Sequence, residues 1–314
     1  MNMTIHLEGV CVMILLISLV IGLAVGYSNI IKDNLRQLLI KLFNFVFLAM
    51  LTLLGYNLAI NNEVTENIGS IGFLSLLFSF FICFSSVVIT ALLIRLIQPI
   101  QSIKEDKTLR ANAEFNLKEA FIPVLAILLG SIIGLVNPSL IVDHERWIYW
   151  LMLFMIFEMG IEIGKTREGL KIIKHIGWFG LIVPAGALTG SIVGSLVFGI
   201  VAGIPPLVSV AIGSGSGFYT VTAPVVANAV GAQYGALALL TNFLRETLTI
   251  TLLPVLAVHF KHPALITMGG ATTMDTTLPV ITRSLGPKAA MIGLVQGIVL
   301  SLLVPVLLPI ILGM

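Results

Sequence analysis

Eight long apolar runs dominate the chain, at about residues 9–31, 38–60, 68–97, 120–142, 147–164, 176–203, 234–258 and 289–312. Each holds about 17 or more residues, long enough for a helix that crosses a bilayer. Between the sixth and seventh runs, and again between the seventh and eighth, lie apolar stretches broken by glycine, at 205–231 and 264–285. Arms of about 12 residues at 1.5 Å per residue reach about 18 Å, near the midplane of a roughly 30 Å hydrocarbon core. The pattern predicts an all-α polytopic membrane protein with about eight transmembrane helices and two re-entrant, glycine-rich hairpins. Ten spans, two of them broken helices, are the alternative.

Composition points the same way, with 58% of the 314 residues hydrophobic and 10% charged. A soluble domain carries charge at about a quarter of its positions. The solvent is therefore a bilayer, where backbone polar groups must be satisfied inside helices. The opening MNMTIHLEG has no basic region and no small-residue cleavage site, so the first run reads as a retained helix rather than a signal peptide. Cys11 and Cys83 both fall inside apolar runs and read as small buried hydrophobes. A formal net charge of +2 selects no partner, and nothing points to nucleic acid.

The placement of charge says more than its sum. Connections after the first, third and fifth helices hold Lys32, Arg36 and Lys41, then Arg95, Lys104, Lys107, Arg110 and Lys118, then Lys165, Arg167, Lys171 and Lys174. The N-terminal tail and the connections after the second, fourth and sixth contain only Arg146. The positive-inside rule puts both termini outside, makes 98–119 a cytoplasmic linker, and leaves Lys261, Arg283 and Lys288 cytoplasmic if the broken segments are hairpins.

Internal repeats add a topology. At an offset of 108, Gly22, Gly26 and Asn29 match Gly130, Gly134 and Asn137; at 105, Gly55, Glu63, Ile71 and Gly72 match Gly160, Glu168, Ile176 and Gly177. At 55, Gly215, Pro224, Gly231 and Pro254 match Gly270, Pro279, Gly286 and Pro309. Three helices make an odd number of crossings, so the second copy lies upside down, an arrangement found in secondary transporters. Residues 1–203 become two inverted three-helix repeats forming a scaffold and dimer part; residues 204–314 become a transport core of two hairpin-plus-helix units.

Candidate chemistry sits in that core. "AIGSGSGFYTVTAPVV" and "MGGATTMDTTLPV" pair glycines with hydroxyls ahead of a proline. Such breaks free backbone groups that lipid tolerates only where they line a cavity or hold a ligand, although close glycine packing between helices also explains glycine runs. Asp275 lies inside the second run, and an Asp at the bilayer centre costs at least about 2.5 kcal/mol, so it should face a partner or water and suits exchange of a proton or Na⁺ for another cation. Asn242, Arg245 and Glu246 share one side of a predicted span, with Arg245 and Glu246 about 100° apart. Together they could bind both signs of a zwitterion, or form a buried charge pair that locks hairpin to helix. Glu158 and Glu162, spaced i,i+4, could carry protons or attract a cation, with Glu162 equally readable as a solvated residue beside Lys165. His175 and His259 read as interfacial. No metal, nucleotide or nucleophile-elbow pattern occurs, so no cofactor is expected. An intramembrane aspartyl protease would need two catalytic acids sharing a site, and Asp275 is the only Asp in a predicted span.

These motifs resemble the LysO family of bacterial lysine exporters. The likeness is strongest from Gly213 to Leu308, through the glycine-rich turn with Phe218 and Tyr219, then Asn242, Arg245 and Glu246, then "GATTMDTTLP", then "SLLVP", and it extends more weakly over the N-terminal helices. The resemblance implies an inner-membrane exporter of L-lysine and of toxic analogues such as thialysine, driven by inward proton movement. Asp275 matches the family's intramembrane acid. Glu158 and Glu162 depart from the pattern, and Asn57 stands where some members carry an early acid, which leaves Na⁺ open as the coupling ion. The expected mechanism is alternating access in a homodimer. Arg245 and the N–H groups near Gly215 and Gly217 receive the lysine carboxylate, with Tyr219 and Thr272 beside them, while Glu246 and Asp275 take the amines or the proton, and Glu158 assists ion coupling. A sodium-coupled transporter of another amino acid or organic anion is the rival.

Overall fold

The structure, a computed structural model, describes residues 14, 17, 18, 20–28, 33–60, 65–97, 117–140, 143–165, 179–260 and 262–314. Cys11, Asn29, Glu63, His175, Lys261, the linker 98–116, the basic connection 166–178 and the side chain of Glu162 lie outside that description. Everything regular among the described residues is helical: a stretch at 20–27, then α1 (Asp33–Ile60), α2 (Ile68–Ile97), α3 (Leu117–Val136), α4 (His144–Lys165), α5 (Phe179–Ala202), α6 (Pro206–Ser214), α7 (Tyr219–Val230), α8 (Ala232–His259), a 3-10 segment (Pro263–Met274), α9 (Leu278–Leu285) and α10 (Pro287–Leu312).

Among the described residues, five helical spans are long and apolar enough to cross a membrane: Gln37–Ile60, Gly69–Ile97, Gly180–Ala202, Ala232–His259 and Lys288–Leu312. With the family relationship set out below, they make the chain a helical membrane protein. The fourth predicted run ends early, because Asn137 and Pro138 turn the chain after Val136 and proline cannot continue the backbone hydrogen-bond ladder. At 9 and 12 residues, α6 and α7 extend only about 14 and 18 Å.

Two apolar layers run through the bundle. Phe78, Phe198, Val208, Val225, Val226, Ala236, Leu237, Val304 and Leu308 pack together in one, and Ile94, Ile182, Leu253, Ala264, Ile281, Ala289 and Ile292 in the other. Helices α2, α5, α8 and α10 each contribute to both layers and run the full length between them. The segment α6–α7 starts and ends in the first layer, whereas the 3-10 segment and α9 start and end in the second. The two broken segments thus pack in different layers, and their breaks meet where Ala271 N–H donates to the Ser216 carbonyl at 2.7 Å.

Small residues allow the close crossings. In α2 and α5, Ser85 Oγ donates to the Gly190 carbonyl at 2.7 Å, and Ser86 and Ser191 pair through their hydroxyls at 3.1 Å. Gly130 lies so close to α1 that a Cβ there would overlap the Thr52 carbonyl, Gly55 faces Ile127 likewise, and Gly22 does the same against Phe157 on α4. Without a hydrophobic drive between helices in lipid, such backbone approach and hydroxyl bonding is what binds them.

The second break departs from expectation. Its first arm is a 3-10 coil, with Gly270 at φ 61° and ψ −127°. A Cβ at Gly270 would overlap the Ser216 carbonyl, so both backbone angle and space demand glycine. Gly286 has a comparable φ of 89° with nothing within 4 Å. In thermal unfolding of detergent-purified protein, Gly270→Ala is expected to lower the midpoint clearly more than Gly286→Ala. Equal losses would mean the breaks do not cross this closely.

Candidate functional site

Helix α8 passes both breaks and holds each with one side chain. Asn242 Oδ1 accepts the Gly217 N–H at 2.7 Å, and its Nδ2 donates to the carbonyls of Ile212 and Ala238, each at 3.0 Å. One turn on, Arg245 is fully buried. Its Nε donates to the Met268 carbonyl at 2.8 Å, Nη1 to Ser191 Oγ at 2.8 Å, and Nη2 to the Thr267 carbonyl at 2.9 Å and Ser86 Oγ at 3.4 Å. Four of the five guanidinium N–H groups are therefore directed at carbonyl and hydroxyl oxygens of the protein.

A second amide completes the arrangement from α10, where Gln296 Nε2 donates to the carbonyls of Gly270 at 2.9 Å and Ile266 at 3.3 Å. Breaking a helix in an apolar interior strands carbonyls and N–H groups at several kcal/mol each. Asn242, Arg245 and Gln296 are the groups that satisfy them.

The same geometry redistributes the expected roles. The Gly217 N–H goes to Asn242 and the Gly215 N–H to the Ala211 carbonyl at 3.2 Å, so neither faces an open site. Thr272, also buried, donates its hydroxyl to the Gly269 carbonyl at 2.9 Å, within its own segment. The sequence showed that glycine frees backbone groups; it did not show that an amide on α8 takes them up.

Glu246 lies a quarter-turn round from Arg245 and is half-buried. It meets Asp275 and Thr276 of the second break, and Tyr219 of α7 lies close enough to feel both carboxyls. Asp275 is exposed, and its Oδ1 accepts the Thr276 N–H at 2.6 Å. Tyr219 is buried and set edge-on to Phe243 at 5.8 Å. The result is two carboxyls and a phenol gathered where the second break opens, with the buried cation turned away from them. Such a cluster suits a cationic group, which the carboxyls bind through charge-assisted hydrogen bonds. Glu158 is buried on α4, Cys83 is buried beside the Met268 carbonyl, and His259 is exposed at the end of α8.

Residues 124–312 match the family described as Lysine exporter LysO. The chain belongs to the LysO family. It is thus a membrane protein from a family of transporters, not of enzymes. A Haemophilus influenzae protein named for lysine export is 30% identical over 183 residues, 58% of this chain and 93% of that protein. The Escherichia coli protein named Lysine exporter LysO is 28% identical over 182 residues, 58% of this chain and 60% of that one. No solved structure matches the chain. The LysO match takes in both broken segments and α8, the region where the sequence motifs were most specific, and begins only at residue 124.

Four residues of this arrangement escaped the sequence reading: Ser86, Ser191, Thr276 and Gln296. A signal existed for three of them. Ser86 and Ser191 stand 105 apart, at the offset of the first repeat, and Gln296 is a lone amide in an apolar run, 55 residues after Thr241.

Arg245→Leu should strand the carbonyls of Thr267 and Met268, each costing roughly 1–3 kcal/mol. The expected result is a sharp fall in monodisperse yield and thermal stability in detergent, against little change for Glu246→Gln. A stable Arg245→Leu protein would contradict the role of Arg245 in holding the break.

Proposed function

We propose that this protein exports L-lysine, and toxic analogues such as thialysine, across a bacterial inner membrane by proton antiport with alternating access. The observation that carries the reading is the pairing of Glu246 with Asp275 beside Tyr219 at the second break, in a chain of the LysO family whose named relatives carry lysine export in their names. The lysine ammonium groups bind this carboxyl pair. A pair that holds either substrate or proton makes each exclude the other, and exchange follows.

The two broken segments are re-entrant hairpins in this reading. Each returns to the layer it left, and neither arm has the length of a bilayer core. Arg95, Arg283 and Lys288 adjoin members of the layer holding Ile94, Ile281 and Ala289, so the positive-inside rule makes that end cytoplasmic. The second hairpin then enters from inside and the first from outside, with both termini outside. Pairs that meet at repeat offsets, Ser85 with Gly190, Ser86 with Ser191 and Ser216 with Ala271, support inverted duplication, because equivalent residues touch where a two-fold axis passes. Residues 1–203 serve as scaffold and homodimer contact.

Arg245 clamps the second hairpin in this state. It would receive the substrate carboxylate only in a conformation where Thr267 and Met268 release it, which ties substrate capture to movement of the hairpin.

A sodium-coupled mode is the second reading, and one observation favours it. Ser216 Oγ, Thr220 Oγ1, Thr241 Oγ1 and Gln296 Oε1, in or beside the breaks, are buried oxygens without a hydrogen-bond partner. Broken helices in other transporters coordinate Na⁺ through such groups.

Proteoliposomes loaded with labelled lysine separate the two. An imposed proton gradient without Na⁺ is expected to drive lysine movement that thialysine competes with, and Asp275→Asn should reduce it to the level of protein-free vesicles. Movement that requires Na⁺ would favour the second reading, and no lysine movement under either gradient would refute both.

A further inference from the structure

The described helices pack as two bodies. In the first, Gly22 lies against Phe157 and Gly26 against Ile161 of α4, Gly55 and Gly130 hold α1 to α3, and the Tyr56 hydroxyl donates to the Pro138 carbonyl at 2.6 Å. In the second, Gly190 and Gly194 lie against Ser86 and Ser85, Gly213 against Ser195, and Gly297 against Met274. None of these glycines leaves room for a Cβ, and among the described residues every glycine so tightly placed finds its neighbour within its own body. The first body is the stretch 20–28 with α1, α3 and α4; the second is α2 and α5 together with residues 204–314. They meet mainly through α7 and α8. The seam there is apolar: Leu51, Leu54 and Ala126 pack with Tyr219, Ala223 and Leu239, and Phe243 adds to them. Packed side chains without interlocked backbone can re-form such a contact in a second position, as in shear motions between domains.

The seam is also one-sided. Every residue of α7 from Tyr219 to Val226 is buried, whereas in α9, the matching helix at the offset of 55, Ile281 is the only buried residue. Along α8 the cover stops after Phe243: Thr247 and Thr251 are exposed, as are Asp275 and Thr276 of the second break. An Asp exposed within a membrane must meet water, and this one opens toward the end that holds Ile281 and Ala289, cytoplasmic in the orientation proposed above. We propose that this is the inward-open state, that Tyr219, Leu239 and Phe243 against Leu51, Leu54 and Ala126 form the outer gate, shut here, and that export shifts the second body as a unit until α9 gains the cover that α7 has now. The inference rests on the proposed function and on the proposed duplication, and it narrows the fixed part of residues 1–203 to the first body. Two units of like shape and opposite direction share one partner, so exchanging their surroundings yields the second state. At the offset of 55 the gate residues Tyr219, Leu239 and Phe243 correspond to Met274, Leu294 and Ile298, which are also large and apolar and can form the inner gate.

The test uses the full-length protein with Cys11→Ser and Cys83→Ala, reconstituted in vesicles, and two further single substitutions: Val280→Cys on α9 and Val225→Cys at the matching position of α7. A membrane-impermeant maleimide is applied from each side in the absence of lysine. Val280→Cys is expected to react from the cytoplasmic side at least about tenfold faster than Val225→Cys reacts from either side, as the exposed and covered positions of one dominant state would. During lysine exchange, labelling of Val225→Cys from outside should rise and labelling of Val280→Cys should fall. In a separate protein, Leu54→Cys with Leu239→Cys, bridged by mercury, should stop lysine flux, and a thiol that removes the mercury should restore it. Equal rates at the two labelled positions, or faster labelling of Val225→Cys from outside, would overturn the inward-open assignment. Flux that persists through the closed bridge would overturn the gate. The labelling variants leave the gate residues intact, so their result stands even if the bridged pair folds poorly. Because the first labelling contains no lysine, a failure of the transport reading would show as absent wild-type flux and leave the labelling result separate.

Discussion

An interrupted helix inside an apolar bundle must find partners for the backbone groups it releases, and that requirement organises the centre of this protein. Two breaks face each other, and Ser216 and Ala271 join them backbone to backbone. What the breaks cannot satisfy between themselves is supplied by Asn242, Arg245 and Gln296. The hydroxyls of Ser86 and Ser191, which also join α2 to α5, take up further guanidinium donors. A single buried cation therefore ties the crossing of the first six helices to the second broken segment, so motion of either is felt by the other.

The proposed duplication places unlike residues at matching positions. At the proposed offset of 55, Asp275 corresponds to Thr220 and Glu246 to Ser301, so each acid has a hydroxyl at the matching position of the other unit. Each unit supplies one acid, Glu246 from the helix of the first and Asp275 from the break of the second. The second break carries an exposed Asp275, whereas Thr220 at the matching position of the first stays buried. In the proposed exporter this makes a symmetric hinge carry an asymmetric binding site.

Much of this was legible from residues alone. Apolar runs gave the helices because lipid permits no other continuous backbone, and glycine with proline marked both breaks. The separation of Arg245 from Glu246 by about 100° already implied different surroundings for the two charges. Their assignment was not legible. Periodicity gives a direction around the helix axis but not what stands there, and the carbonyls that occupy Arg245 come from Thr267 and Met268, more than 20 residues onward in a segment with no regular period. The 3-10 winding was hidden for the same reason, since it depends on how closely Ser216 approaches Gly270. Thr276 looked like one more small polar residue among several until its neighbours were known.

The central claim is that lysine and a proton compete for one carboxyl pair. Calorimetric titration of the purified protein with L-lysine, repeated across pH and in buffers of differing ionisation enthalpy, tests it without any membrane gradient. The account predicts binding that weakens as pH falls, releases a proton, and loses that release in Glu246→Gln. Lysine binding of the same affinity at every pH, with no proton released, would contradict it.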